Sequence, residues 1–150
     1  MDSIRKAPEM EDAKINVKLK ISALWIAMLF VFAYGDIFGF QKPGVIEGIM
    51  EGKMWVFRIS QVFLFLTSLY IVIPSIMVFL SLALKPRMNR STNIAVAIFY
   101  IVTVLGSCIG ETWAFYILGS IVETLLLGLI VWHAWNWPRA EGTPRRQRQS

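Results

Sequence analysis

Polar positions are sparse along this chain and come in bursts, leaving four apolar runs at about Ile21 to Phe40, Ile59 to Leu84, Ile94 to Gly110 and Thr112 to Trp137. Each is long enough to cross a bilayer as a helix. The last two runs nearly join, and one helix from Ile94 to Trp137 would measure about 66 Å, roughly twice the hydrocarbon thickness. The chain must therefore double back at "GSCIGETW", where Gly106 and Gly110 loosen the helix and Glu111 with Thr112 can cap the next one. The pattern predicts an all-α, polytopic transmembrane four-helix bundle over residues 19–137, with a leading segment 1–18 and a basic, disordered tail 138–150.

Within each run the polar residues recur at helical spacing. Ser22 and Asp36 lie two heptads apart in the first; Gln61, Ser68 and Ser75 follow at steps of seven in the second. The third carries Tyr100, Thr103, Ser107 and Glu111, and the fourth Thr112, Tyr116, Gly119, Ser120 and Glu123. Hydrocarbon cannot satisfy hydrogen-bonding groups, so these four faces are expected to point at one another. Pro74, inside "VIPSIMVF", removes a helix hydrogen bond and is expected to shape the second span.

Composition and charge agree. Of 150 residues 56% are hydrophobic, and mean hydropathy is +0.57. The net charge of +5 is distributed as a topology signal and not as a nucleic-acid footprint. Five basic residues precede Ile21, three (Lys85, Arg87, Arg90) lie between the second and third runs, and four follow Trp137, against three (Lys42, Lys53, Arg58) in the first loop. Both termini are therefore expected in the cytoplasm. Trp55 and Trp113 then mark the outer interface, and Trp132, Trp135 and Trp137 the inner one. A cleavable signal peptide ending near "VFAYG" is the competing reading of the first run, but the apolar stretch continues through "IFGF" and acidic residues precede it. The "PRRQRQS" tail is read as a solvated end, with attraction to anionic lipid as the alternative.

Catalytic and cofactor motifs are missing. Cys108 is the lone cysteine and His133 the lone histidine, so the sequence offers no intramolecular disulfide, no redox pair and no metal or haem ligand set. There is no HExxH, no glycine-rich phosphate loop and no recognisable nucleophile triad. No cofactor and no metal are expected, and a non-enzymatic protein is the primary reading. The first loop, "QKPGVIEGIMEGKMW", spaces Gly44, Gly48 and Gly52 by four, which suits either a short interfacial helix starting at Pro43 or an irregular loop.

Charge inside a span is where chemistry is sought, and Glu123 is a lone carboxylate near the middle of the fourth run. With the proposed topology Asp36, Gln61, Glu111 and Tyr116 fall in the outer half of the membrane and the inner half is more apolar. The candidate site is an outward-facing polar pocket ending at Glu123, with Asp36, Tyr116, Gln61 and Glu111 around it and Arg58 at its mouth, able to pair with Asp36 or Glu111. The competing reading is a packed bundle in which Glu123 stays protonated and hydrogen-bonds Ser68 or Tyr70.

The strings "KISALWIAMLF" followed by Tyr34 and Asp36, then "IPSIMVFLSLAL", "NRSTNIAVAIFY", and Glu123 ahead of "WHAWNW" resemble a family of small, uncharacterised four-span bacterial membrane proteins, over about Lys18 to Trp137. The resemblance implies a four-helix fold in a bacterial inner membrane and no residue roles. Two functions are expected from the residues. One is binding of a small apolar or cationic molecule, or membership of a membrane complex through a second copy or another membrane protein. The other is a proton-linked small-solute carrier or channel acting as an oligomer, with Glu123 titrating.

Overall fold

The computed structural model of the chain describes residues 14–54 and 57–137; the first thirteen residues of the leading segment, Trp55 with Val56, and the basic tail lie outside the described residues. Four long helices carry the fold: α1 (Val17–Gly39), α3 (Gln61–Ala83), α4 (Pro86–Ser107) and α5 (Ala114–Trp135), with a short α2 (Val45–Met50) and the two-residue strands β1 (Lys53–Met54) and β2 (Phe57–Arg58) between α1 and α3. All four long helices are long and apolar enough to cross a membrane. Phe30, Phe65, Phe79, Val102 and Leu125 face outward, so the bundle presents apolar side chains to its surroundings on every long helix. That surface suits hydrocarbon and not water.

Local chemistry sets the ends. Asn16 caps α1, its Oδ1 accepting from the Lys18 backbone N–H at 2.9 Å, and Ser60 caps α3, its Oγ accepting from Phe63 N–H at 3.2 Å. At the far end of α3 the Lys18 ammonium donates to the Leu82 and Leu84 carbonyls at 3.0 and 2.8 Å, groups the helix itself leaves open. Pro86 then starts α4 in its first turn, where a missing N–H costs nothing. Between α4 and α5, Gly110 takes φ 81° and Glu111 Oε1 accepts from the Thr112 and Trp113 N–H groups at 2.9 and 3.0 Å. The expected turn is present with Gly110 and Glu111 in it, but Gly106 stays within α4 and Trp113, with no side-chain cap bond, stands at the α5 N-cap where Glu111 and Thr112 were expected to cap.

Helix α5 packs along both α1 and α4, and α1 along α3. The sealed part of the core lies in the half of the bundle nearer the termini: Ile21, Trp25 and Met28 from α1, Met77 from α3, Ala97 and Tyr100 from α4, and Leu127, Ile130 and Ala134 from α5.

Two expectations are corrected here. Asn89 and Asn93, read from sequence as part of a connection, lie on α4, which begins at Pro86 and not at Ile94. They are fully buried, so the half of the bundle expected to be the more apolar carries its densest polar network. Asn93 Oδ1 accepts from Trp25 Nε1 at 2.7 Å and Ser81 Oγ at 3.1 Å. Asn93 Nδ2 donates to Asn89 Oδ1 at 2.6 Å, and Asn89 Nδ2 to the Ser81 carbonyl at 2.5 Å. The second correction concerns α3. Gln61, Ser68 and Ser75 are exposed, and Ser75 returns its hydroxyl to its own helix at Ile71 O, 2.9 Å. The buried face of α3 carries Met77 and half-buried Tyr70 instead. Those lie two positions on from Ser75 and Ser68, about 200° round the helix.

Candidate functional site

In the half of the bundle nearer the interhelical loops the four helices do not close. They enclose a cavity of about 290 Å³. Helix α1 contributes Phe32, Gly35 and Asp36; α3 contributes Tyr70; α4 contributes Thr103, Val104 and Ser107; α5 contributes Phe115, Tyr116, Gly119, Ser120 and Glu123. Spacing explains the α5 set, because residues 116, 119, 120 and 123 share one helix face. Gly35 and Gly119 leave room where a larger side chain would intrude.

Glu123 is 7% exposed. Among the described residues it makes no hydrogen bond: Ser68 faces outward, and Tyr70 is committed elsewhere. The Tyr70 hydroxyl and Thr103 Oγ1 lie 2.6 Å apart, and Thr103 donates to the Tyr100 carbonyl at 3.0 Å, which leaves Tyr70 as the donor between them. Tyr100 in turn donates its hydroxyl to the Tyr70 carbonyl. That carbonyl is open because Pro74, four residues on, has no N–H to give it. Pro74 thus creates the acceptor that ties α3 to α4, while Thr103 takes the Tyr70 hydroxyl that was expected to satisfy Glu123. Asp36, on α1, lines the same cavity and is itself exposed.

Beside the cavity a second arrangement joins the first loop to the α4–α5 turn. The Lys42 ammonium meets Glu111 Oε2 at 2.7 Å, with the two side chains only 10% and 6% exposed. Three rings surround it, the centroids of Trp113, Phe115 and Tyr116 lying 5.5, 5.4 and 5.1 Å from Nζ, inside cation–π range. The ammonium hydrogen bond holds the Glu111 carboxyl below its ordinary range; burial opposes this, and the Trp113 and Thr112 N–H groups add to it.

The structure therefore brings Asp36, Tyr116 and Glu123 together in one cavity. It does not bring Gln61 or Arg58, both exposed, and Glu111 pairs with Lys42 where Arg58 was expected. Sequence reasoning missed Lys42 and the ring trio. The available signal was three aromatic residues within four positions, Trp113 to Tyr116, closely following the acidic Glu111 of the turn. Among the described residues no group of three or more His, Cys, Asp or Glu side chains could hold a metal ion.

No curated protein and no solved structure matches the chain. Residues 9–143 match a family of unknown function, DUF6326, and the chain belongs to that family.

Proposed function

We propose that this is a non-enzymatic integral membrane protein that binds a small molecule in the cavity ending at Glu123. One observation carries the reading: a carboxyl buried within a membrane-spanning helix faces an open cavity with no hydrogen-bonding partner among the described residues. A purely structural acid in hydrocarbon would be expected to pair, because an unsatisfied polar group there is costly. The volume lies at the small end of ligand pockets, room for roughly ten water-sized groups. The distribution of basic residues supports an outward-facing mouth with both termini in the cytoplasm. The family resemblance supports a bacterial inner membrane as its setting.

The test is a thermal-stability screen of small organic compounds against the full chain in nanodiscs, wild type beside Glu123→Gln. A ligand at a hundred times its Kd adds about 2.7 kcal/mol of stability. The expected result is a set of compounds that stabilise the wild type and not the variant, with the two unliganded proteins equally folded. If every stabilising compound acts equally on both, Glu123 is structural.

A second reading, a proton-linked carrier acting as an oligomer, is favoured by the presence of two carboxylates, Asp36 and Glu123, in one cavity. Proteoliposomes in which a pH gradient drives no solute flux would rule it out.

A further inference from the structure

We infer that the ligand is a small organic cation, an alkylammonium ion, held between the Glu123 and Asp36 carboxylates and the aromatic walls of the cavity; this rests on the cavity being a ligand site at all.

The lining decides the sign of the charge. Among the described residues it holds two carboxyl groups and no Lys, Arg or His, and its remaining polar side chains are hydroxyls on Tyr70, Thr103, Ser107, Tyr116 and Ser120. An anion would meet two acids and no counter-charge. A neutral apolar guest would leave Glu123 buried and unanswered. A monovalent ammonium answers it in a low-dielectric site, where opposite charges attract far more strongly than in water.

The walls decide the kind of cation. Phe32, Tyr70, Phe115 and Tyr116 come from three helices and line the cavity with aromatic rings. Such rings suit a diffuse organic cation and offer little to a small inorganic ion that needs several oxygens. The protein also holds an alkylammonium of its own against two of these same rings. Lys42 Nζ lies 5.4 and 5.1 Å from the centroids of Phe115 and Tyr116, with Glu111 as its carboxylate partner. Phe115 and Tyr116 thus have an intrinsic ammonium beside them and also line the cavity. Glu123 lines the cavity together with both rings.

Calorimetric titration of the full chain in maltoside micelles with choline and with 3,3-dimethylbutan-1-ol, its uncharged counterpart of the same shape, tests the charge directly. Choline should bind at least tenfold tighter than the alcohol. Glu123→Gln should weaken choline at least tenfold and leave the alcohol within twofold. Equal affinity for the two probes would overturn the cation inference while the cavity reading stands. Binding of neither would overturn both. Should Glu123→Gln fail to fold, Asp36→Asn gives the same readout: at least a threefold loss for choline is expected, and an unchanged affinity would overturn the paired-carboxylate anchor.

Discussion

The two halves of the bundle use polar side chains in opposite ways. Toward the termini, Asn89, Asn93, Ser81 and the Trp25 indole form a closed network in which each group has a partner, packed among fully buried apolar residues. Toward the loops, Glu123 and Asp36 face open volume and Glu123 has no partner among the described residues. Buried polar groups are ordinarily satisfied. The closed network therefore reads as the glue of the fold, and the cavity-facing Glu123, with the exposed Asp36 beside the same cavity, as the place open to a guest. Lipid offers no hydrophobic force between helices, so packing and such hydrogen bonds must hold the bundle together. Between α3 and α4, which meet sparingly along the backbone, the Asn89–Ser81, Asn93–Ser81 and Tyr100–Tyr70 bonds do much of that.

Swapping leucine into each half should separate the two roles most sharply. Asn93→Leu strands the Trp25 N–H and Asn89 Oδ1, and should lower stability by about 2 kcal/mol, from roughly 1–3 per orphaned group tempered by the smaller values found in membranes. Glu123→Leu removes an unpaired acid and fills part of the cavity, and should raise stability by about 1 kcal/mol. Thermal or denaturant unfolding in matched micelles reads both; two losses of similar size would erase the distinction.

The Lys42–Glu111 pair at the loop end should have a smaller, pH-dependent effect. Lys42→Met should cost about 1 kcal/mol near neutral pH. Because the folded carboxyl titrates below its ordinary value of 4.5, this contribution is full above that value and is lost as pH falls through the folded one. The gap between wild-type and Lys42→Met unfolding temperatures should hold from pH 7 to about 5 and narrow below, leaving the part due to the ring contacts of the ammonium. A gap that does not narrow in acid would place the effect in the rings alone. The smallest effect is expected at the outward stripe of α3: Ser68→Ala and Ser75→Ala should change stability by less than about 0.5 kcal/mol. A larger loss would mean that face meets a partner.

The four spans, the turn at Gly110 and Glu111, and the meeting of Asp36, Tyr116 and Glu123 were legible in the sequence, because length, glycine and helical period act locally. What escaped depends on rotation about a helix axis. Gln61, Ser68 and Ser75 keep a clean heptad, but their hydroxyls can bond back to the same helix, as Ser75 does, so polarity alone did not fix which way the stripe faces. Asn89 and Asn93 were lost because charged neighbours, Arg87 and Arg90, lower local hydropathy. Yet Asn89, Asn93, Ala97, Tyr100 and Val104 form one buried helical face. Lys42 was missed in favour of Arg58 because the path of the first loop, through α2 and a small hairpin, brings the nearer basic residue over the turn and leaves the other exposed.

Side-by-side thiol labelling tests the contrast most directly. Glu123→Cys and Ala97→Cys, each in a Cys108→Ala background and reconstituted in nanodiscs, would be exposed to a small water-soluble cationic methanethiosulfonate reagent. Both positions are buried within spans, position 97 completely, in the sealed half. Rapid modification at position 123 and none at 97 is the predicted result. Equal protection at both positions, in folded protein, would contradict an open cavity and make Glu123 part of the same glue.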